Sequence, residues 1–565
     1  MKVVIIGGVA GGATAAARLR RLDESAEIII IERSGYVSYA NCGLPYYIGG
    51  VITEKEDLTL QTPTSFWNRF RIEVRTHQEA VRIRREEKVV EVRNLVTGET
   101  YEESYDKFLL SPGATAIKPN IPGVELEGVF TLRTVEDTWY IREWIEKKKP
   151  ARAIVIGGGF IGLEMLENLV HAGIQTTLLQ KSEQVMPPLD YDMACGVHAY
   201  LRKMGVDLRL RQNVTGIERT ETGMTVQIAG QEDIETDLVI LAIGVSPETW
   251  LAKDAGLTLG MRGAIMVNPH MQTSDPDIYA VGDGVTVPHY VTQEPTWIAL
   301  AGPANKEGRI AADHMCGLES SYTGSQGSSI LKLFDMSIAS TGLNEKGAEA
   351  AGIPYDYVVT FSPSHASYYP DASNMTVKVL FHKETGRILG AQIVGFAGVD
   401  KRIDVLAVSI RAHMTGQDLT DLELAYAPPF SSAKDPVNMA GFVIENVRQG
   451  LVKQYRCQDI EGLPQDGSIL MLDVRTDREY AAGHIPNSIH IPLDSLREHV
   501  SELDPCKPIY VNCQSGLRSY LACRILSQHG FRCYNLIGGY RYYALLQSEK
   551  ELDTAPSHSC GLPIH

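Results

Sequence analysis

The chain has 565 residues, with 53 Lys+Arg against 69 Asp+Glu and a formal net charge of −16. That balance repels nucleic acid and anionic membrane surfaces, so an anionic ligand has to find a local basic pocket. With 44% hydrophobic and 22% charged residues the composition suits a globular chain, and at roughly 150 residues per domain the length predicts three to five domains. The longest apolar runs, such as Val3–Ile6 and the isoleucines after Glu27, are far too short to cross a bilayer. Met1 leads straight into a strand pattern with no charged-then-apolar leader, which predicts a cytoplasmic protein. Nine cysteines form no CxxC pair and no Cys/His cluster at zinc spacing, so no metal site is expected. An odd number in a leaderless chain predicts reduced thiols rather than structural bridges.

Residues Lys2–Ile6 form a β-branched run of buried-strand length, followed by Gly7-Gly8-Val9-Ala10-Gly11-Gly12 and a helix pattern to Leu22. A second strand, Glu27–Ile31, ends at Glu32. This is a βαβ dinucleotide unit, in which Gly7, Gly11 and Gly12 permit the tight turn and Glu32 stands where an acid holds ribose hydroxyls. Val9 departs from the middle glycine of GxGxxG, but strand, turn, helix, strand and acid all fall in place. A second copy starts at Arg152–Ile156 and continues through Gly157, Gly159 and Gly162 as an unbroken GxGxxG. Its second strand ends at Gln180-Lys181, where an acid would select the 2′-hydroxyl of NADH. Gln180 still hydrogen-bonds a ribose and Lys181 tolerates a 2′-phosphate, so NADH is only mildly favoured over NADPH.

Two dinucleotide folds in one chain point to FAD in one and NAD(P)H in the other. The segments Tyr105–Thr115 and Asp237–Pro247 each read as a strand entering a glycine turn, and Thr273–Asp283 ends in Gly-Asp after a Tyr-Ala-Val strand. Together these resemble the pyridine nucleotide-disulfide oxidoreductase family over roughly residues 1–445. The resemblance implies an FAD domain split around the NAD domain, with Asp283 on the flavin ribitol.

Where dithiol members of that family carry CxxxxC, this sequence has Cys42 alone, with Tyr47 at the second position. A single thiol has to form a mixed disulfide with substrate, a sulfenate or a persulfide. Pro45 suits a helix start, so a Cys42 thiolate is expected to gain from helix-terminus amides. The single-cysteine branch contains NADH oxidases and peroxidases, which place a histidine in the glycine loop, where this chain has Ala10. The Ser38–Tyr46 and Leu424–Pro436 segments resemble the CoA-disulfide reductase pattern instead. That resemblance implies that Tyr426 reaches the thiol–flavin site from a partner subunit of a homodimer. Tyr368 is a second candidate phenol, with Tyr369 beside it as the alternative. It also implies that Arg18, Arg21, Ser38, Asn41 and Lys434 line a CoA site, with CoA either a bound cofactor or a substrate.

After a polar stretch that reads as a linker, Ser468–Arg475 is a strand ending in Asp-Val-Arg, His484-Ile-Pro follows, and Pro508–Asn512 runs straight into Cys513-Gln-Ser-Gly-Leu-Arg518. This resembles a rhodanese domain over roughly residues 460–550. A loop of that kind turns several backbone N–H groups inward on the Cys513 sulfur, with Gly516 and Arg518 assisting, and is expected to stand open to solvent. Cys523 and Cys533 are expected to be packing residues, and Cys506 and Cys560 have no assignment.

The fold expected is α/β: two Rossmann-like dinucleotide-binding domains, an α+β dimerisation domain, and a C-terminal α/β rhodanese domain. The boundaries are FAD-binding 1–115, NAD(P)H-binding 116–240, FAD-binding again 241–322, dimerisation 323–447, linker 448–462 and rhodanese 463–553. The activity expected is flavin-dependent reduction of CoA disulfide, CoA persulfide or polysulfide by NAD(P)H through Cys42, with Cys513 handling sulfane sulfur. An NADH oxidase or peroxidase, or a redox-sensing sulfur carrier, are the alternatives.

Overall fold

The computed structural model describes residues 1–554. The chain divides into two compact units, Met1–Ser182 with Arg211–Gly327, and Glu183–Leu210 with the chain from Ser328 onward.

The first unit holds two parallel sheets. In one, the strands run Ile278–Ala280, Lys107–Leu110, Lys2–Ile6, Glu27–Ile31, Glu73–Arg75. In the other, Gln175–Leu179, Arg152–Ile156, Leu238–Leu241 and Val129–Phe130 lie side by side. The near-continuous Val/Ile/Leu runs of the central strands follow from this: a parallel strand covered on both faces has no solvent side to be polar on. Val3, Val4, Ile5 and Ile28–Ile31 are accordingly all buried in one core. Each first strand feeds a helix, Ala10–Leu22 or Phe160–His171, through its glycine loop.

The second unit contains an antiparallel sheet ordered Ser329–Leu333, Met336–Gly342, Ile388–Gly395, Asn374–His382, Tyr355–Pro363. Its middle strand, Ile388–Gly395, is buried at every position. Helices Val399–Arg411 and Pro436–Arg448 pack on this sheet, and Asp435 caps the second by accepting from the Val437 amide at 3.0 Å. The segment Glu183–Leu210 groups with this unit. Its Asp190 and Asp192 pair with the buried Lys378 amine at 2.9 and 2.7 Å, and Asp190 accepts a hydrogen bond from the Gln392 amide at 2.7 Å.

The C-terminal sheet is parallel, ordered Lys453–Tyr455, Cys533–Leu536, Ile509–Asn512, Leu470–Asp473, Ile489–His490. Residues 448–462, read from sequence as a linker, therefore contribute an edge strand of this sheet, and Tyr455 and Cys457 are buried. Their polar composition hid this, because an edge strand of three residues has too little alternation to register. Among the described residues no helix is long and apolar enough to cross a membrane.

Candidate active sites

The two glycine loops are built to the same plan. Gly7 and Gly157 sit at φ +89° and +111°, where a Cβ would fall 2.1 and 2.3 Å from the carbonyl oxygens of Ser111 and Ala242. A Cβ on Gly12 or on Gly162 would lie 1.9 Å from the oxygen of Gly7 or of Gly157, so the helix can start this close to its strand only with glycine there. The middle position carries no such demand. Val9 has φ −101°, and a Cβ on Gly159 would meet nothing within 4 Å, which accounts for the departure from GxGxxG. The residues closing the second strands match as well: Glu32 accepts from the Gly8 amide and Gln180 from the Gly158 amide, each at 2.9 Å. Gly11 faces Val281 and Ala304, which brings the second flavin-type segment, with Asp283, against the first glycine loop. Glycine loops at helix N-termini, flanked by Glu32 in one case and Gln180 in the other, fit a dinucleotide pyrophosphate and its sugars in both places.

The Cys42 segment is pinned to this loop, since the Ser38 amide donates to the Gly8 carbonyl at 2.7 Å. Cys42 lies on a single 3₁₀ turn, Asn41–Gly43, ahead of the helix Leu44–Ile48. The residue reaches solvent although the protein crowds its sulfur. That crowding pushes the thiol pKa up, Glu164 and Asp283 add to the effect, and Arg133 opposes it. The chain around Cys42 thus favours the neutral thiol, contrary to the expectation that its own helix terminus would stabilise the thiolate. Arg133 is the one cation in this group. It meets the Asn41 amide, donating to it from Nη1 at 2.6 Å, and approaches Asp283 at 3.5 Å. Glu164, on the helix after the second glycine loop, is raised to about 7 by burial and then by Glu167. Tyr46 is raised to about 12 by burial, with Glu164, Glu167 and Cys42 adding. Tyr47, where a second cysteine would stand in a dithiol site, is buried edge-on against Trp139 at 4.8 Å. All eight cysteines among the described residues are free thiols.

Of the expected anion-binding arginines, Arg21 is exposed, whereas Arg18 is committed to Asp313 at 2.6 Å. Arg20 between them is structural: it donates to the carbonyls of Phe70, Asp23, Glu24, Ala26 and Arg71.

In the second unit, Tyr368 and Tyr426 hydroxyls lie 3.1 Å apart, and both rings are uncovered in the single chain, 75% and 47% exposed. Tyr369 turns instead toward His365. The loops carrying the two phenols are tied together by Arg402, which is 1% exposed, pairs with Asp435 at 3.0 Å and donates to the Ser364 carbonyl at 2.9 Å. A cavity of about 570 Å³ opens beside Tyr426, with His365, Lys401 and Phe430 in its wall. Lys434 is exposed next to the buried Asp435. Among the described residues, the one cluster of carboxylates spaced for a cation, Asp190, Asp192 and Glu345, already surrounds the Lys378 ammonium, at 2.9, 2.7 and 2.5 Å.

Cys513 follows the strand Ile509–Asn512 and precedes the helix Leu517–Gln528. Its sulfur receives the Gly516 amide at 3.1 Å and the Ser519 hydroxyl at 3.2 Å. Gly516 makes this possible at φ +99°, a left-handed conformation that turns its N–H inward. Cys513 is 0% exposed, so the expectation of a solvent-open sulfur is corrected: a donor has to bring a terminal sulfur to it. Arg518 does not bond the sulfur. It forms a two-point pair with Glu479 at 2.7 and 2.8 Å, and this pair, ahead of the Thr476 contacts, pulls Glu479 down to about 2. The Asp-Val-Arg signature is a buttress: Arg475 pairs with buried Asp473 at 2.8 Å and lies over the Tyr540 ring, whose amide holds the Cys513 carbonyl at 2.7 Å. Cys523 and Cys533 are buried in the same core, and Cys560 lies outside the described residues. Arg133, Glu164, Ser519 and Glu479 were not singled out from the sequence. Ser519, one residue past the loop and in line with the Gly516 turn, is the one whose spacing carried a signal.

Two dinucleotide folds flanking a solitary thiol, with a second thiol held in an amide-lined loop, define a nucleotide-dependent sulfur redox protein. Comparison with known proteins gives the same class. Residues 1–308 match the pyridine nucleotide-disulphide oxidoreductase pattern, 328–436 its dimerisation domain, and 457–545 the rhodanese-like domain. A coenzyme A disulfide reductase of Staphylococcus epidermidis is 38% identical over 442 residues, 78% of this chain and 99% of that protein. Among solved structures, reduced CoADR-RHD of Bacillus anthracis superposes with a TM-score of 0.95 at 49% identity, over 97% of this chain and 98% of that one. A NAD-dependent persulfide reductase from A. fulgidus gives 0.89 at 38% identity, over 96% and 100%. The chain belongs to the pyridine nucleotide-disulphide oxidoreductase family. It is a member that carries both the family's dimerisation domain and a C-terminal rhodanese domain.

Proposed function

We propose that the protein reduces the sulfur–sulfur bond of CoA disulfide, CoA persulfide or polysulfide with NAD(P)H, using Cys42 as the nucleophile and Cys513 as a carrier of sulfane sulfur. The observation that carries this reading is the solitary, solvent-reaching Cys42 between the two nucleotide loops, with a buried tyrosine where a second cysteine would allow an internal disulfide. The names of the similar proteins, a coenzyme A disulfide reductase and a persulfide reductase, support the substrate class. FAD, held by Gly7–Gly12, Glu32 and Asp283, would pass an electron pair from the nicotinamide held at Gly157–Gly162 and Gln180 to sulfur.

The chain's own part is as follows. Cys42 as thiolate attacks one sulfur of CoA disulfide, forming a Cys42–CoA mixed disulfide and releasing CoA thiolate. On a CoA persulfide it attacks the outer sulfur, and CoA thiolate again departs. An electron pair then cleaves the new bond, regenerating the Cys42 thiolate and releasing CoA thiolate or hydrosulfide. Arg133, the cation near Cys42, opposes the acids that raise its pKa, which favours the attacking form. A proton for the leaving sulfur comes from the Tyr368–Tyr426 pair of the partner subunit in a homodimer. The exposed rings of Tyr368, Tyr426 and Phe430 support that dimer, because a contiguous aromatic surface on one chain marks an interaction face. Arg18, Arg21, Ser38, Asn41 and Lys434 serve the CoA phosphates and pantetheine.

Cys42→Ser tests the reading. The variant should keep its visible flavin absorbance and lose reduction of CoA disulfide and CoA persulfide. Full persulfide reduction by that variant would remove the mechanism.

A further inference from the structure

Among the described residues, the thiol chemistry leaves one buried acid with neither a role nor a cationic partner. Glu307, on the helix Ala301–Met315, is 2% exposed, and its Oε2 accepts the Gly282 amide at 2.7 Å. Gly282 immediately precedes Asp283. The residue after Glu307 touches the other flavin loop, for a Cβ on Gly308 would lie 2.3 Å from the Gly11 carbonyl oxygen. The carboxyl therefore sits in the seam between the two loops that the flavin reading assigns to the pyrophosphate and the ribitol.

No cation pairs with it among the described residues. Asp283, a like charge, faces it from the Gly282–Gly284 turn, and the first glycine loop contributes backbone at Gly11. On its own helix, Lys306 and Arg309 are exposed, and Arg309 leans to Asp313 at 3.8 Å. Burial pushes the Glu307 carboxyl up to about 7, with the Gly282 amide opposing and Asp283 adding. An ionised Glu307 would stand as an uncompensated charge in the interior and would repel a pyrophosphate seated on the adjoining loops.

We propose that Glu307 is a positioning residue for the flavin dinucleotide that works in its protonated form, so that FAD binding to the apoprotein takes up one proton. The balance is carboxylate plus proton plus FAD giving the carboxylic acid with FAD bound. The sign follows from linkage. Below the carboxyl's own pKa the proton is already present and FAD affinity does not vary with pH. Above it, the proton has to be drawn from solvent, and affinity falls by up to tenfold per pH unit. The proposal depends on the flavin reading of the loops and not on which sulfur compound is reduced.

Flavin fluorescence during release from the holoprotein between pH 6.5 and 8.5 tests it. In the wild-type chain the FAD dissociation constant should rise by tenfold or more across that range. Glu307→Gln, which keeps an oxygen for the Gly282 amide but cannot ionise, should show a flat profile. Parallel slopes in the two proteins, or a flat wild-type profile, would overturn the proposal. A second measurement needs no variant: adding FAD to wild-type apoprotein at pH 8 in weak buffer with an indicator dye should consume about one proton per FAD bound. No proton uptake would equally overturn it. Neither measurement depends on the Cys42 reaction, so failure here leaves that mechanism standing, and the reverse holds.

Discussion

Cys42 lies in a field of mixed sign, raised by burial, Glu164 and Asp283 and lowered by Arg133. A thiol in that setting is held back from ionising until charges shift around it, so the leaving sulfur needs its own proton source. On the proposed mechanism the hydroxyls of Tyr368 and Tyr426, 3.1 Å apart, would supply it, and Tyr368 rather than Tyr369 is the phenol that meets Tyr426. Tyr426→Phe should lower kcat for CoA disulfide by about 10²-fold, the lower end of what a positioned acid contributes. An unchanged kcat would remove the acid role. Gly7, Glu32 and Cys42 were legible because backbone demand and redox chemistry restrict residue choice at those positions. Arg133 was not, because an arginine before an ordinary capping box carries no local mark, and only packing brings it to Asn41 and Asp283.

Two short elements carry the site loops in the second unit, and each is held by a buried ion pair. The Tyr426 loop is anchored by Arg402 and Asp435, 1% and 2% exposed, with Ser431 and the Ser364 carbonyl completing the network. Arg402→Met removes the close partner of the buried Asp435 carboxylate and leaves it only the more distant Lys401 amine at 3.9 Å, which should cost up to about 3–5 kcal/mol. Thermal unfolding of the holoprotein should show a lowered Tm, and activity should fall because the two phenols lose their common anchor. A Tm equal to wild type would show that the pair is not structural. The Cys513 loop is braced from below by Arg475 and Asp473 and at its rim by Arg518 and Glu479. The motif Asp-Val-Arg was visible in the sequence, yet its role as a brace was not, since that follows from Tyr540, a residue sixty-five positions later that the arginine meets only in the folded chain.

On the proposed reading, one polypeptide joins a reductive thiol to a sulfur-carrying thiol, which would raise the effective concentration of one at the other. The two should fail differently. Cys513→Ser should abolish thiosulfate-type sulfur transfer and slow turnover of polysulfide that loads sulfur on the rhodanese loop first, while leaving CoA disulfide reduction within about twofold of wild type. Steady-state rates on both substrates decide it, and equal losses on both would mean that the modules do not divide the work. The uncovered aromatic face around Tyr368 and Phe430 predicts a homodimer by sedimentation at assay concentration. A catalytically active monomer would contradict the assignment of Tyr426 to the partner's site.

Glycine loops, strand runs and the isolated cysteines were determined by sequence alone, because each answers a local requirement: a positive φ at Gly7, a doubly covered strand at Glu27–Ile31, a lone thiol at Cys42. What only the tertiary structure decided depends on residues distant in the chain meeting. Glu183–Leu210 joins the second unit through the buried Lys378, and 448–462 becomes an edge strand through its pairing with Cys533–Leu536. The Cys513 sulfur is closed from solvent by the fold around its loop, and Glu307 comes to rest between the first glycine loop and the Gly282–Gly284 turn, segments far apart in the chain. Burial and long-range electrostatics have no period and no motif, so these features emerge only when the chain has packed.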